Sequence, residues 1–370
     1  MIKKENKMSK VNNVIVLNLG STSFKFKLFD FTEGEKVLAT GEIESIGSPE
    51  GAWSITIGDK TESGRDSFPL HGDAFALCLG KLTEYGALET MGSLDAVGYK
   101  AVHCGALKGA QLVDDRLIEL QEHFCSFAPA HNPIYIAMMK QVKERYPNLP
   151  QVAYFETSFH ATIPDERVTY GVPYEWKEKY GIRRYGFHGS SHSYIGYKMA
   201  ELEPECTKVV SVHLGGSSSI CAIKDGESVA SSMGATPQSG IFHNNRVGDF
   251  DVFCIPELVN QYGSLDAVMK ELSKNGGFLG VSGVSNDLRD VIAAADEGNE
   301  RAKLAIDTFV DGIVGYVGMF TAFMGGLDEA KKAESKDGMI STPDSKVKVY
   351  VLKTNEELMV ARKAIEFLSK

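Results

Sequence analysis

An internal repeat limits the folds open to this 370-residue chain more than any other feature of its sequence. The segment VIVLNLGSTS, which begins at Val14, aligns with VVSVHLGGSS, which begins at Val209. Each copy predicts a strand that ends in a turn of small and hydroxyl-bearing residues, followed by a second strand that ends near Asp30 or Asp225. The sequence therefore predicts two similar domains that face each other.

Length and composition set the broad class of protein. A chain of this size can bury a core in each of two domains. The six cysteines are scattered without zinc or redox spacing, so we expect reduced thiols in a cytoplasmic protein. The net charge of −10 argues against a nucleic-acid partner. No signal peptide or membrane-length apolar segment is evident, so we expect no membrane partner and favour small-molecule chemistry.

Patterns of apolar residues predict the order of elements along the chain. In the first half they predict strands at 14–17, 24–29, 36–44, 96–103 and 151–155, a helix at 71–85, and a helix capped by Asn132 with Pro133 in its first turn. In the second half they predict helices at 255–262, 265–273 and 299–324, a strand at 347–352, and a final helix after the capping box TNEE at 354–357. This order indicates α/β domains with mixed sheets.

One stretch of the second half departs from this scheme. Residues 328–338 are almost entirely charged or small and show no apolar periodicity. They can supply neither a core strand nor a core helix, whereas the first half has both at the equivalent place. We therefore predict that the second domain lacks one βα unit.

The turns of the repeat are suited to anions, because glycine lets successive backbone N–H groups and hydroxyls converge on one point. A plain hairpin connection explains either turn alone. Two copies of the turn favour a different interpretation, in which they hold the two ends of a phosphoryl transfer.

Two segments carry the densest groups of reactive side chains. YGIRRYGFHGSSH places two arginines and two histidines among glycines and makes His188 a candidate, although a packing role is the alternative. A Gly/Pro-rich loop places Arg246 among small residues, where its planar fork could bind a carboxylate or a phosphate. The alternative is a surface arginine paired with Asp249 or Asp251.

A third candidate segment, GVSNDLR, places Ser285 and Asp287 at a predicted helix start. Helix capping alone is the alternative explanation for both residues. Neither turn of the repeat matches the GxGxxG pattern of dinucleotide-binding folds, so a dehydrogenase is disfavoured.

Six motifs in order resemble those of the acetate kinase family. They are NxGSxSxK at 18–25, APxHNP at 128–133, RYGFHGxSH at 184–192, MGxTP at 233–237 leading to Arg246, SGVSxDxRD at 282–290, and TNEE at 354–357. Any one of them alone is a weak signal, but the ordered set is specific.

The resemblance implies a fold of the actin, hexokinase and heat-shock chaperone ATPase superfamily, with two ribonuclease H-like α/β domains. The N-terminal domain would comprise residues 1–158 with the last helix, 357–370, and the nucleotide-side domain residues 159–356. The implied reaction is reversible transfer of the ATP γ-phosphoryl group to acetate, with Mg²⁺ as cofactor. Relatives form homodimers through the second domain, so a homodimer is expected by analogy.

The resemblance also implies roles for individual residues. The expected catalytic residues are Glu156, His188 and Arg246. Substrate binding is expected of Lys100, Val102 and Pro237. The nucleotide is expected to contact Lys25, His213, Gly215, Gly216, Asp287, Leu288 and Arg289. Asn18 and Glu356 are expected to place Mg²⁺.

Several positions depart from the family pattern. Lys100 stands where the family has arginine, which keeps the charge but loses the two-pronged geometry. Glu156 stands where the family has aspartate, and the His-Leu-Gly-Asn-Gly turn of the family ends in Gly216-Ser217 here. The family's adenosine-binding Gly-Ile-Gly-Glu-Asn segment should follow Asp328 and is absent. We therefore predict weaker ATP binding than in intact relatives.

These departures keep other functions open. Ala130 stands where the family usually has leucine, so propionate or butyrate is an alternative substrate. A site that keeps phosphate contacts but lacks the adenosine wall would also fit pyrophosphate as donor. The last alternative is a non-catalytic remnant that binds ligands without turnover.

Overall fold

The computed structural model describes residues 11–325 and 348–370. The chain divides into two compact units, one that runs to Ser158 and includes Asn355–Lys370, and one that spans Phe159–Thr354. The assignment of two functional domains, with the second on the nucleotide side, stays a prediction.

The described residues form eleven strands and twelve α-helices. The strands are β1 Asn13–Leu19, β2 Phe24–Asp30, β3 Lys36–Glu44, β4 Gly51–Ile57, β5 Lys60–Asp66, β6 Ala96–Ala101, β7 Gln111–Leu112, β8 Gln151–Phe155, β9 Lys208–His213, β10 Ser219–Lys224 and β11 Glu227–Ser231. The helices are α1 His71–Glu84, α2 Asp115–His123, α3 Asn132–Arg145, α4 Asp165–Val168, α5 Tyr174–Tyr180, α6 Gly189–Leu202, α7 Ile255–Tyr262, α8 Leu265–Lys274, α9 Gly277–Ser282, α10 Leu288–Asp296, α11 Glu300–Phe323 and α12 Glu356–Leu368.

The first unit is built on a mixed sheet of eight strands in the order β5-β4-β3-β2-β1-β6-β8-β7. Strands β1, β6 and β8 are parallel, and the remaining pairs are antiparallel. The register pairs Leu17 with Tyr99 and Ala101 with Phe155. The carboxyl ends of the three parallel strands therefore lie at one edge of the sheet, which is where ligands bind in many open α/β sheets.

Strands β4 and β5 are absent from the sequence prediction. The alternation of Trp53, Ile55 and Ile57 with smaller or polar residues is a strand signal that could have revealed β4. Strand β5, with the sequence KTESGRD, is almost entirely exposed at the sheet edge and carries no apolar pattern. Pairing with β4 forms this strand, so its own composition could not reveal it.

The described part of the second unit contains a three-stranded antiparallel sheet in the order β11-β10-β9. Its core packs Ile220 and Ala222 of β10 with Phe278, Phe309 and Phe320 from the helices. Strands β1–β2 and β9–β10 are both antiparallel pairs joined by short turns, as the repeat predicts. The predicted loss of a βα unit concerns residues 328–338, which lie outside the described residues, and stays a prediction.

Three local predictions need correction. Residues 348–352 do not form the predicted strand, since only Tyr350 makes an isolated bridge, and residue 347 lies outside the described range. Asn355, not Thr354, caps the last helix by accepting a hydrogen bond from the backbone N–H of Leu358. Helix α3 is preceded by His131 as its cap residue. Asn132 is instead a buried helical residue whose amide donates to two backbone carbonyls.

Helix α11 is long and apolar enough to cross a membrane by length and composition alone, with 24 residues and a mean hydropathy of 1.3. The prediction that no segment reaches this length is therefore wrong. A single such helix is weak evidence, because core helices pass the same test. Ala305 and Phe309 pack in the core of the unit, whereas Leu304, Val310 and Val314 are exposed.

Candidate active site

In the first unit, predicted site residues meet at the carboxyl ends of the parallel strands. Asn18 lies on β1, Lys100 on β6, and Glu156 directly follows β8. Glu356 is the first residue of α12. The Lys100 ammonium lies 3.5 Å from Glu156 Oε1 and also contacts Glu356 Oε2. The structure thus brings together one lysine and two carboxylates that are far apart in the sequence.

The ion pairs of Lys100 are largely buried, with side-chain exposures of 17% for Lys100, 8% for Glu156 and 14% for Glu356. Burial alone would lower the pKa of Lys100. Attraction to Glu156 and then to Glu356 outweighs burial and raises that pKa above its usual value. Lys100 is therefore a permanent cation whose charge the protein itself balances.

Two more predicted residues of the first unit lie nearby in the fold. Lys25 is opposite Asn18 in the β1–β2 register, but it is well exposed and pairs with Glu42 at 3.1 Å. Val102 follows β6 and packs against the apolar core of the first unit.

In the second unit, His188 immediately precedes helix α6 in the left-handed backbone conformation, with φ of 56°. A residue other than glycine rarely adopts this conformation, and such strain is concentrated at functional sites. The preceding Gly186 has φ of +77°, and a Cβ at this position would lie 2.7 Å from the ring of His160. Glycine is thus required for the chain to reach His188 in this conformation.

Serine hydroxyls hold the histidine rings around His188. Its Nδ1 lies 2.8 Å from Ser219 Oγ, and its ring stacks on His213 with centroids 4.1 Å apart and planes 19° apart. His213 ends β9, and its Nδ1 lies 2.8 Å from Ser191 Oγ. His192 contacts Ser219 through Nε2 and Ser211 through Nδ1. The rings are therefore fixed in orientation by packing and by hydrogen bonds.

Burial keeps the neighbouring imidazoles neutral. It lowers the pKa of His192 well below its usual value and that of His160 to about 4. Burial, followed by repulsion from Arg246, also lowers the pKa of His243 to about 4. At neutral pH these rings act as hydrogen-bonding groups and add no positive charge.

Arg246 is held by neutral acceptors. Its Nη1 donates to Ser217 Oγ at 3.1 Å and to the carbonyl oxygen of Pro237 at 3.0 Å. Burial lowers its pKa, although an arginine stays charged. Across residues 11–325 and 348–370 it forms no ion pair with a carboxylate, and its Nη2 and Nε donate to no protein acceptor.

The alternative of a surface arginine paired with Asp249 or Asp251 is therefore wrong. Asp249 accepts hydrogen bonds from the Gly240 backbone and the Tyr316 hydroxyl. Asp251 accepts one from the backbone of Phe253.

The glycine turn that follows β9 leads to serines that contact both His188 and Arg246. Gly215 and Gly216 follow β9 in the turn that leads to Ser217 and Ser219. Ser217 contacts Arg246 and Ser219 contacts His188, so both predicted catalytic residues are anchored to this one turn. The hydroxyl-rich composition of the repeat pointed to the turn, but not to these individual serines.

The third predicted segment is explained by helix capping. Asp287 caps α10 and accepts hydrogen bonds from the backbone and side chain of Arg289, which lower its pKa to about 2. Arg289 is highly exposed, and Leu288 packs against the core of the unit. A nucleotide contact for these residues stays a prediction.

Among residues 11–325 and 348–370, no three His, Cys, Asp or Glu side chains are grouped to hold a metal ion. Of the predicted metal residues, Glu356 contacts Lys100, and Asn18 lies on β1, the strand next to β6, which carries Lys100. The sequence motifs did not single out serines 191, 211, 217 and 219, which contact the predicted histidines and Arg246.

Comparison with known proteins identifies the family. The family model of the Acetokinase family matches residues 13–331. An acetate kinase of Bacillus velezensis is 36% identical over 392 aligned residues, which cover 96% of this chain and 99% of the relative.

Two solved structures extend this similarity to the fold. The Porphyromonas gingivalis acetate kinase has a TM-score of 0.86 at 32% identity and covers 97% of this chain and 100% of its own. A propionate kinase of Francisella tularensis has a TM-score of 0.85 at 30% identity, with coverages of 95% and 98%. The predicted family, fold class and type of phosphotransferase are confirmed, and the chain belongs to the acetokinase family.

Proposed function

We propose that this protein is an acetate kinase that converts acetate and ATP reversibly into acetyl phosphate and ADP. Family membership and the acetate kinase relatives support this reaction. The observation that carries the proposal is Arg246, a half-buried guanidinium whose protein contacts are a hydroxyl and a carbonyl. Burying a cation without a carboxylate costs stability, and an anionic substrate is the partner that would offset that cost.

Arg246 and His188 would act on the transferring phosphoryl group. Nη2 and Nε of Arg246 would donate to the carboxylate of acetate and to the phosphoryl oxygens, where negative charge spreads in the transition state. His188 would donate a hydrogen bond to the same group. Because both residues are anchored to the turn that carries Ser217 and Ser219, they are positioned before substrate binds.

The residues around Lys100 fit Mg²⁺. This ion prefers oxygen ligands and is often bound through one or two carboxylates together with substrate phosphates. Glu356 and Asn18 offer such oxygens, and Glu156 adds a second carboxylate. When bound, Mg²⁺ would neutralise charge on the phosphates. Lys100 would meanwhile keep the two carboxylates from repelling each other.

Acetate is the favoured acceptor. Val102 and Pro237, the residues predicted to contact its methyl group, both have apolar side chains. A kinase specific for propionate is the alternative, since a propionate kinase is among the similar structures. Selectivity between acids that differ by one methylene is worth only about 1–3 kcal/mol.

The test is trapping of acyl phosphate as hydroxamate, with acetate or propionate as acceptor and ATP or pyrophosphate as donor. We expect turnover with ATP and acetate, and a large loss in Arg246→Gln, which removes the charge but leaves a neutral hydrogen-bond donor. The matched control is Arg65→Gln, an exposed arginine of the first unit. Absence of turnover with every pair would favour the non-catalytic alternative. Turnover with pyrophosphate alone would reassign the donor.

We propose in addition that two copies of this chain associate through the exposed face of α11. Leu304, Val310 and Val314 are between 49% and 62% exposed, which is costly for an apolar helix face in water. Light scattering should show a dimer for the wild type and a monomer for Val314→Glu. The control, Lys270→Ala, alters an exposed charge on a different helix, α8, and should stay dimeric. A monomeric wild type would contradict this proposal.

Weak ATP binding and a cytoplasmic location stay predictions.

A further inference from the structure

We propose that Ser219, with His192 and Ser211 behind it, fixes the tautomer of His188 so that its proton resides on Nε2. These serines and His192 are positioning residues, since they act through the ring of His188. The inference deepens the proposed function, because it assumes that His188 meets the transferring phosphoryl group.

One serine hydroxyl, that of Ser219, is shared by the rings of His188 and His192. Ser219 Oγ lies 2.8 Å from His188 Nδ1 and 2.8 Å from His192 Nε2. A serine hydroxyl has one proton, so it donates to one of these nitrogens and accepts from the other. The protonation of His188 Nδ1 is therefore opposite to that of His192 Nε2.

The hydroxyl of Ser211 determines the direction of these hydrogen bonds. Ser211 is 4% exposed, and its Oγ lies 2.9 Å from His192 Nδ1. This nitrogen is the only side-chain or backbone partner of that hydroxyl among the residues the structure describes. Buried polar hydrogens are almost always satisfied, so the Ser211 hydroxyl donates to His192 Nδ1.

The remaining protons follow from this direction. His192 is neutral, because burial lowers its pKa, and its one proton is then on Nε2, which donates to Ser219. The Ser219 hydroxyl in turn donates to His188 Nδ1, which leaves the proton of His188 on Nε2. The opposite direction would bury the Ser211 hydrogen without an acceptor.

The stacked ring of His213 fixes the plane of His188, while the serine chain fixes its protonation. A neutral ring with a protonated Nε2 is a hydrogen-bond donor to phosphoryl oxygens. The other tautomer would present a lone pair to the same oxygens and repel them. The serine chain therefore selects the tautomer that assists transfer.

Nitrogen-15 NMR of histidine-labelled protein tests the tautomer directly, with the His188 signals assigned by their loss in His188→Gln. We expect a protonated Nε2 and an unprotonated Nδ1 for His188 at neutral pH. A protonated Nδ1, alone or together with Nε2, would overturn the inference.

Variants connect the tautomer to the rate. Ser219→Ala should give a mixture of tautomers and lower kcat about tenfold with little change in either KM, whereas Ser219→Thr should restore both readouts. Ser228→Ala is the matched control, because it removes a buried Ser–His hydrogen bond, with His160, outside this chain of contacts. It should leave the His188 signals unchanged. A Ser219→Ala variant that keeps a single Nε2-protonated tautomer would also overturn the inference.

The two proposals fail in different ways. If the wild type shows the expected tautomer but no turnover with any donor, the proposed function fails and the tautomer assignment stands. If it turns over acetate and ATP with the other tautomer, only the inference fails.

Discussion

Two predicted cationic residues, Lys100 in the first unit and Arg246 in the second, are held in opposite ways. Lys100 contacts two largely buried carboxylates. Arg246 contacts a serine hydroxyl and a backbone carbonyl. The charge of Lys100 is therefore balanced within the protein, whereas that of Arg246 is available to an anion. Whether a buried cation serves a structural or a ligand-binding role therefore depends on the protein groups that accept its hydrogen bonds.

The largest expected effect tests the structural side of this comparison. Lys100→Met would remove the cation that contacts both Glu156 and Glu356 and would leave the two largely buried carboxylates to repel each other. We expect a loss of about 3–5 kcal/mol in the free energy of unfolding, measured by urea titration. Lys81→Met, at a partly exposed lysine with one carboxylate partner, is the control and should cost much less than Lys100→Met. Equal losses of unfolding free energy in the two variants would show that the buried ion pairs of Lys100 have no special structural role.

The next prediction concerns a variant in which Arg246 has a carboxylate partner within the protein, as Lys100 does. Ser217→Asp would give the guanidinium a carboxylate partner inside the protein, and we expect kcat/KM to fall about 10²–10³-fold with no loss of stability. Ser217→Asn is nearly the same size and neutral, so it should keep most of the activity. Comparable rates for the two variants would show that the charge of Arg246 is not what the substrate uses.

The buried histidines of the second unit extend the comparison to pH, because burial keeps them neutral in the folded state. The pKa of His160 is about 4 when folded and near its usual value of 6.5 when unfolded. Between these pH values the unfolded state binds the additional proton, so stability is complete above pH 6.5 and decreases as the pH falls towards 4. We expect His160 to account for a loss on the order of 1–2 kcal/mol at about pH 5.

Thermal unfolding at several pH values checks this expectation. The variant His160→Asn should flatten the decrease, although it lowers stability at neutral pH. A wild type whose stability is constant from neutral pH down to about pH 4 would contradict the neutral state of the buried rings.

The smallest effect concerns the two departures from the family pattern within the Lys100 group. Lys100→Arg and Glu156→Asp each restore the family residue. Because the longer glutamate reaches the ammonium at 3.5 Å, we expect each single change to cost stability and the double variant to recover about 1 kcal/mol. A double-mutant cycle measures this coupling, and additive effects would show that the two departures are independent.

Much of the fold could be predicted from the sequence because its signals are local. Short segments of sequence are enough to predict the repeat, strands β1, β3 and β8, and helix α7, and the structure agrees with these predictions. Strand β5 could not be predicted, since its polar sequence becomes a strand only by pairing with β4.

The partners of the predicted site residues likewise could not be read from short segments of sequence. Motifs pointed to Lys100, Glu156, His188 and Arg246, but the acceptors that distinguish the two cations come from distant positions. Ser217 reaches Arg246 across 29 residues, and Glu356 reaches Lys100 from the last helix. Such partners follow from tertiary packing, which composition and spacing do not encode.

The most direct test of the central claim measures stability and rate together in Arg246→Gln. Because no carboxylate of the described residues depends on this guanidinium, we expect the free energy of unfolding to fall by no more than about 0.5 kcal/mol, and a rise would also agree with the cost of burying the charge. In the same preparation kcat/KM for acetate should fall at least about 100-fold. A variant that loses several kcal/mol of stability, or one that keeps its rate, would contradict the claim that the charge of Arg246 is reserved for the substrate.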